Sequence, residues 1–104
     1  MRLEPNGYGG PIKMLIGIDT EGCVKGISLL EHAETPGFGA DAEKDSFKNQ
    51  YVNRQTPLAV SKTEPKDNEI QAITGATITS TAITDAVNMA SEYVMLHQEE
   101  WGNV

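Results

Sequence analysis

Residues 12–31 read IKMLIGIDTEGCVKGISLLE, and this stretch predicts a β-hairpin. From residue 12 to residue 19, large apolar side chains alternate with other residue types, which is typical of a half-buried strand. Residues 19–22 predict a tight turn, in which Gly22 can adopt the positive φ of a bulge position. The returning strand, residues 23 to about 31, alternates less regularly, so we expect it to be covered on both faces or to carry a bulge.

The last third of the sequence predicts a long amphipathic helix. Thr79 or Ser80 is the expected N-cap, because its hydroxyl can accept hydrogen bonds from backbone N–H groups of the first turn. We therefore predict a helix from about residue 80 to residue 97. Its apolar face recurs at helical spacing and comprises Ile83, Ala86, Val87, Ala90 and Val94.

The segments between these two elements predict a short helix, one further strand and two loops. Residues 34–39 contain one proline and two glycines and are expected to form a loop. Residues 45 to about 51 predict a short helix, residues 58–62 a strand, and the charged residues 64–68 a surface loop. Together the elements predict an α+β fold, in which a small, mainly antiparallel sheet, formed by the hairpin and the 58–62 strand, packs against a long C-terminal helix.

Length and composition indicate one acidic domain. The chain has 104 residues, the usual size of a single domain, and we treat residues 1–104 as one unit. Eight basic residues against 15 acidic ones give a net charge of −7, and the basic residues are scattered, which argues against a nucleic-acid-binding protein. A single cysteine excludes an internal disulfide and a thiolate metal cluster. No apolar stretch approaches the ~20 residues of a membrane-spanning helix, so the chain as given is expected to be soluble.

Residues 74–80, which read TGATITS, form the strongest candidate for a ligand site. They make a small-residue loop that leads into the predicted helix, where free backbone N–H groups and the helix dipole attract phosphate. Gly75 and Ala76 allow the backbone to approach a ligand closely, and four hydroxyl groups crowd the same place. The run lacks the lysine of a Walker A loop. The residues alone leave two interpretations open, a phosphate site or a capping segment rich in hydroxyls.

Three motifs give this chain a family resemblance. Residues 74–77, followed by a helix, resemble the flavinylation motif of FMN-binding domains in the Rnf and sodium-pumping NADH:quinone reductase complexes. Residues 7–12 and 32–39 look like the G subunit of Rnf-type electron transport complexes. The motifs occur in the family's order and cover about residues 7–95. The resemblance implies that a flavin transferase moves FMN from FAD onto Thr77, which then holds the cofactor through a phosphoester bond.

The resemblance also implies which residues surround the cofactor. The loop at residues 34–39 is expected to form a wall around the flavin ring, although its residue types alone favour a stiff turn with Phe38 in the core. His32 is expected to be a structural group rather than a flavin neighbour. No base is evident beside Thr77, so we expect an acceptor and no catalytic residue. The expected FMN-binding residues are Glu34, Thr35, Pro36, Gly37, Phe38, Thr74, Gly75, Ala76, Thr77, Ile78, Thr79 and Ser80.

The partners implied by the resemblance are the other subunits of a membrane electron transport complex and the flavin transferase. Such a complex couples ferredoxin and NAD to ion movement across a membrane. The resemblance implies that this chain is a soluble fragment of a membrane-anchored subunit, with its domain on the extracytoplasmic side. We expect an electron carrier without turnover of its own.

Gln71 departs from the family pattern, because an aspartate usually stands three residues before the flavinylation motif. This departure keeps open the alternative of a module that binds FMN, or another phosphorylated ligand, without a covalent bond. A further alternative is a structural or interaction domain with no cofactor.

Overall fold

The hairpin belongs to a three-stranded antiparallel sheet in the computed structural model, which describes residues 1–37, 39–73 and 75–96. The strands are β1 (Arg2–Leu3), β2 (Lys13–Ile18) and β3 (Val24–Glu31), in the order β1-β2-β3. Met14 and Ile16 are buried, whereas Leu15 between them is exposed. The predicted alternation is confirmed, and β2 therefore presents one apolar face to the core.

A turn and a bulge shape the hairpin as the sequence predicts. The Asp19 carboxylate accepts hydrogen bonds from the Glu21 and Cys23 backbone N–H groups, both at 2.9 Å, and Gly22 has a φ of 85°. Ile18 pairs with Val24 and Gly17 pairs with Gly26, so the pairing leaves one extra residue, Lys25, on β3. This bulge turns Val24 into the core.

A second sheet corrects the predicted arrangement of strands. The strand expected at residues 58–62 exists as β4 (Ala59–Ser61), but it pairs in parallel with β5 (Glu69–Gln71) in a separate two-stranded sheet. The expectation that it joins the hairpin is therefore wrong. The free edge of β3 is instead met by Arg54, whose carbonyl accepts the Val24 N–H at 2.8 Å, in an isolated bridge.

Helical segments follow the predicted order with shifted bounds. A 3₁₀ helix (Gly39–Glu43) precedes α1 (Asp45–Lys48), and a second 3₁₀ turn (Asn49–Tyr51) completes the short helix predicted at residues 45–51. The long helix is α2 (Thr77–Leu96), which starts three residues earlier than predicted. Its predicted end at residue 97 lies outside the described residues. Because α2 starts at Thr77, Thr79 and Ser80 lie in its first turn, and the prediction that one of them is the N-cap is wrong.

The core lies where α2 packs on β2 and β4. Asn88 joins α2 to the chain before β4, since its side-chain amide donates to the Leu58 carbonyl and accepts the Leu58 N–H, both at 2.8 Å. Ser91 donates to the Gly22 carbonyl at 2.7 Å and so fastens the hairpin turn to the same helix. These contacts hold the second half of α2 against the hairpin turn and the chain before β4. The largest fully buried apolar side chains are Ile12, Met14, Ile16, Val24, Tyr51, Ile70, Ile83 and Val87.

Candidate functional site

A cleft of about 550 Å³ opens at the start of α2. Small-molecule sites usually have volumes of about 300–1,000 Å³, so the cleft has room for a ligand of cofactor size. It brings together all three motifs that carry the family resemblance. The residues that line it are Tyr8, Thr35, Gly39, Gly75, Ala76, Thr77, Ile78 and Thr79.

The loop before α2 is held in shape from within the protein. Gly75 has a φ of 75°, which glycine adopts without strain, and the Ala76 N–H donates to the Ile73 carbonyl at 2.9 Å. Ser80 supports the loop from below, because its hydroxyl accepts the Ile73 N–H at 2.9 Å and donates to the Ala76 carbonyl at 3.0 Å. These hydrogen bonds link Ile73, before the loop, to Ala76 and to the first turn of α2.

Thr77 occupies the first position of α2 and lines the cleft. Its side chain is half-buried and makes no hydrogen bond with any residue that the structure describes. The first-turn amides of a helix lack intrahelical partners, and the helix dipole adds partial positive charge at this end. The position thus combines an available hydroxyl with a favourable environment for a phosphate group.

A buried carboxylate lies behind the cleft. Glu34 is only 6% exposed, and its oxygens accept hydrogen bonds from the Tyr8 N–H (2.8 Å), the Gly9 N–H (2.6 Å) and the Thr79 hydroxyl (2.6 Å). Burial raises the pKa of this carboxyl group, but the three hydrogen bonds, together with the nearby His32, outweigh it and hold the pKa of Glu34 below its usual value. Glu34 is therefore an anion at neutral pH.

His32 supports this carboxylate from the same strand end. Its Nδ1 accepts the Glu34 N–H at 3.2 Å, and its Nε2 lies 2.9 Å from Glu43 Oε1. The two contacts hold the imidazole between the Glu34 backbone and the Glu43 carboxylate, so His32 is a structural group. His32 does not line the cleft, as the sequence predicts.

The loop at residues 34–39 contributes fewer cleft residues than predicted. Thr35 lines the cleft, and its carbonyl accepts the Ala40 N–H at 3.1 Å, which closes the loop. Pro36 and Gly37 are exposed at the turn and do not line it. Glu34 lies behind the wall rather than in it.

The segment at residues 74–80 is divided between the cleft and the interior. Gly75, Ala76, Thr77, Ile78 and Thr79 line the cleft. Ser80 is fully buried and does not. The hydroxyls of Thr79 and Ser80, two of the four predicted to crowd this place, are committed to hydrogen bonds within the protein. Thr74 and Phe38 lie outside the described residues.

Tyr8 is absent from the predicted FMN-binding residues, and Gly39 was expected only as part of the loop at residues 34–39. Tyr8 is 74% exposed at the cleft wall, where it offers an aromatic surface. Gly39 packs so closely that a Cβ atom there would lie 2.7 Å from the Thr79 hydroxyl and 2.8 Å from Glu34 Cβ. Both residues belong to the motifs that carry the family resemblance, at residues 7–12 and 32–39, and these motifs could have identified them.

The described lining of the cleft carries no formal charge. None of the described residues that line it is His, Asp, Glu, Lys or Arg. A threonine hydroxyl is a poor nucleophile unless a base or a metal activates it.

Gln71 lies at the end of β5 with its side chain exposed. Its backbone is clamped by Gln50, whose side-chain oxygen accepts the Gln71 N–H at 2.7 Å and whose nitrogen donates to the Gln71 carbonyl at 3.2 Å. The side chain at position 71 is thus open to an approaching protein.

In the part of the chain that the structure describes, none of the helices combines the length and apolar character needed to cross a membrane.

Known proteins similar to this chain include subunits of redox complexes. The sequence model of the family described as FMN-binding domain matches residues 7–92. The chain is 46% identical over 92 residues to the G subunit of the proton-translocating ferredoxin:NAD(+) oxidoreductase complex of Clostridium ljungdahlii, covering 88% of this chain and 50% of the relative. It is 41% identical over 88 residues to the G subunit of the Na(+)-translocating ferredoxin:NAD(+) oxidoreductase complex of Acetobacterium woodii, covering 82% and 42%. The chain thus spans about half the length of these curated relatives.

Solved structures share the fold. The C subunit of the Na(+)-translocating NADH-quinone reductase from Parabacteroides distasonis superposes with a TM-score of 0.73 at 28% identity, covering 91% of this chain and 54% of that one. NqrC from Shewanella oneidensis superposes with a TM-score of 0.77 at 17% identity, covering 96% and 54%. At the lower identity the likeness concerns the fold alone.

Proposed function

The chain belongs to the FMN-binding domain family, and from this premise we propose that it carries FMN through a phosphoester bond to Thr77. The observation that carries the proposal is the position of Thr77, a half-buried hydroxyl without a described partner, at the amino end of α2 and in the lining of the cleft. A flavin phosphate would find space in the cleft, close backbone approach at the glycine-containing loop and favourable charge at the amino end of α2.

The residues of the site divide the work of holding the cofactor. The first-turn amides of α2 and the helix dipole stabilise the phosphate charge. Tyr8, from the motif at residues 7–12, supplies an aromatic surface for the ring system, and Thr35, from the motif at residues 32–39, supplies a polar wall. When bound, FMN supplies the redox chemistry, while the protein fixes its position and tunes its potential.

Attachment requires a transfer reaction that leaves the oxidation state of the flavin unchanged. The Thr77 oxygen attacks the FMN-side phosphorus of FAD, a new P–O bond forms, the bond between the two phosphates breaks, and AMP leaves. The hydroxyl proton passes to a base. Because no described cleft residue is such a base, we assign that role to a flavin transferase, with Thr77 as the acceptor.

The relatives suggest the larger setting. Two of them are G subunits of ferredoxin:NAD(+) oxidoreductase complexes that translocate protons or sodium ions. We propose that this domain is an electron-carrier part of such a G subunit, on the extracytoplasmic side of a membrane. Its partners would then be the other subunits of the complex and the flavin transferase.

Co-expression tests the proposal. The chain is produced with and without a matched flavin transferase, denatured in guanidinium chloride, and separated from small molecules before its flavin fluorescence is measured. We expect retained fluorescence only with the transferase and none for Thr77→Ala. Absence of retained flavin from the wild-type chain after co-expression would refute covalent attachment.

Non-covalent binding is the second candidate, and Gln71 is the observation that favours it. Its exposed side chain stands where the resembling domains usually have an aspartate. In this case flavin purifies with the native chain but is released by guanidinium chloride. Gln71→Asp, compared with the conservative variant Gln71→Asn, then decides whether the missing carboxylate limits attachment, since only the aspartate should increase loading.

A further inference from the structure

We propose that Glu34 is the positioning residue of the flavin cleft and that its buried negative charge lowers the reduction potential of the bound flavin. This inference deepens the proposed function and rests on it for the flavin itself. The positioning part can be tested on the chain without cofactor.

Three separate segments meet at the Glu34 carboxylate. The backbone N–H groups of Tyr8 and Gly9, in the glycine-rich segment, donate to it. The Thr79 hydroxyl, in the first turn of α2, donates to it as well. The Glu34 side chain itself belongs to the end of the hairpin, and Thr35, the next residue, lines the cleft. One carboxylate therefore connects the walls of the cleft, although it does not line the cleft itself.

The surroundings of Glu34 suit a carboxylate in particular. Both of its oxygens act as acceptors, Oε1 for Tyr8 and Thr79 and Oε2 for Gly9. A glutamine has only one acceptor oxygen, so its NH₂ group would face one of these donors. Glycines approach the carboxylate so closely that a Cβ atom at Gly7, Gly9 or Gly39 would contact Glu34 at 3 Å or less. The close packing leaves no room for the carboxylate to turn away.

The hydrogen bonds that hold the Glu34 carboxylate come from neutral donors. All three of its hydrogen-bond donors are backbone amides or a hydroxyl, and the neighbouring His32 contacts the Glu34 backbone N–H through Nδ1 rather than the carboxylate. No Lys or Arg side chain forms an ion pair with Glu34 among the residues that the structure describes. Each electron that a flavin accepts without a proton adds a negative charge. A fixed anion behind the wall opposes that step, because Coulomb repulsion is weakly screened in a protein interior.

Amide hydrogen exchange tests the positioning role in the chain without flavin. The Tyr8 and Gly9 amides should be protected in the wild type, and in Glu34→Gln at least one of them should exchange about tenfold faster, the equivalent of one lost hydrogen bond. Glu21→Gln, at an exposed turn position, is the charge-matched control and should leave both rates unchanged. Equal protection in the wild type and Glu34→Gln would overturn the positioning role.

Potentiometric titration of the flavin-loaded chain at pH 8 tests the role of the charge. Glu34→Gln should shift the midpoint potential to a more positive value. Thr79→Val keeps the carboxylate but removes one donor, so the anion is less compensated and the potential should shift to a more negative value. General loosening of the cleft predicts the same direction for both variants, and such a result would overturn the proposal.

The two experiments remain decisive even if one variant does not fold or the chain takes up no flavin. If Glu34→Gln does not fold, Thr79→Val alone decides, because an unchanged or more positive potential contradicts the electrostatic role. If the wild-type chain takes up no flavin after co-expression with the transferase, the proposed function fails. The exchange rates of Tyr8 and Gly9 still test the positioning role in that case.

Discussion

The Thr79 hydroxyl donates a 2.6 Å hydrogen bond to Glu34 Oε1 across 45 positions of the sequence. It joins the first turn of α2 to the end of the hairpin at the rear of the cleft. Thr79 is only 1% exposed, so the bond is shielded from water and strongly constrains both segments. The flavin site that we propose therefore depends on a buried side-chain contact as much as on its surface residues.

The ionisation of Glu34 should make stability depend on pH. Its pKa is lower in the folded chain than the usual 4.5, so its stabilising contribution is complete above that value and is lost as the pH falls through the folded pKa. We expect the difference in free energy of unfolding between the wild type and Glu34→Gln to be largest near neutral pH and to shrink steadily below pH ~4.5. Urea unfolding at a series of pH values measures it. A difference independent of pH would contradict the ionised state of Glu34.

Close packing at Gly39 should make it intolerant of a methyl group. A Cβ atom there would lie 2.7 Å from the Thr79 hydroxyl and 2.8 Å from Glu34 Cβ, so we expect Gly39→Ala to lower the free energy of unfolding by about 1–3 kcal/mol. Gly26→Ala is the matched control, since a Cβ at Gly26 meets nothing within 4 Å. It should be neutral or stabilise the strand by about 0.5 kcal/mol. Equal effects of the two substitutions in urea unfolding would argue against the packing described.

A buried hydroxyl pair should behave as one unit in the core. Tyr51 and Thr84 share a 2.7 Å hydrogen bond, and both are fully buried. Burial raises the pKa of Tyr51, so its hydroxyl stays protonated. Tyr51→Phe leaves the Thr84 hydroxyl without this partner and should cost about 1–2 kcal/mol of unfolding free energy.

The double variant tests that coupling. Tyr51→Phe combined with Thr84→Val removes both polar groups and should cost clearly less than the sum of the single variants. A double-mutant cycle by urea unfolding provides the measurement. Strict additivity would show that the two hydroxyls are not coupled.

Local patterns in the sequence predict the local elements well. The alternation that begins at Ile12 predicts β2, and the run at residues 19–22 predicts the turn, because both signals come from neighbouring residues. The parallel strand β5 (Glu69–Gln71) was not predicted, since three residues give too short a pattern. The membership of β4 in a second sheet depends on that strand and was therefore missed as well.

The site is predictable only in part for the same reason. The resembling motifs identify Thr77 and most of the residues around it, and the structure brings them together in one cleft. The hydroxyls of Thr79 and Ser80 suggest capping, but tertiary contacts with Glu34 and within the loop use them instead. A bond that spans 45 residues leaves no trace in local sequence. For the same reason the sequence does not reveal that Glu34, which it predicts in the cleft wall, lies behind that wall.

The most direct test of the central claim is mass spectrometry of the peptide that contains Thr77. Trypsin cleaves after Lys66, and no Lys or Arg follows, so residues 67–104 form one peptide. After co-expression with a matched transferase, we predict that this peptide gains the mass of FMN less one water and that fragmentation assigns the gain to Thr77. Thr81→Ala should still gain it, and Thr77→Ala should not. An unmodified wild-type peptide, or an added mass that persists in Thr77→Ala, would contradict the account.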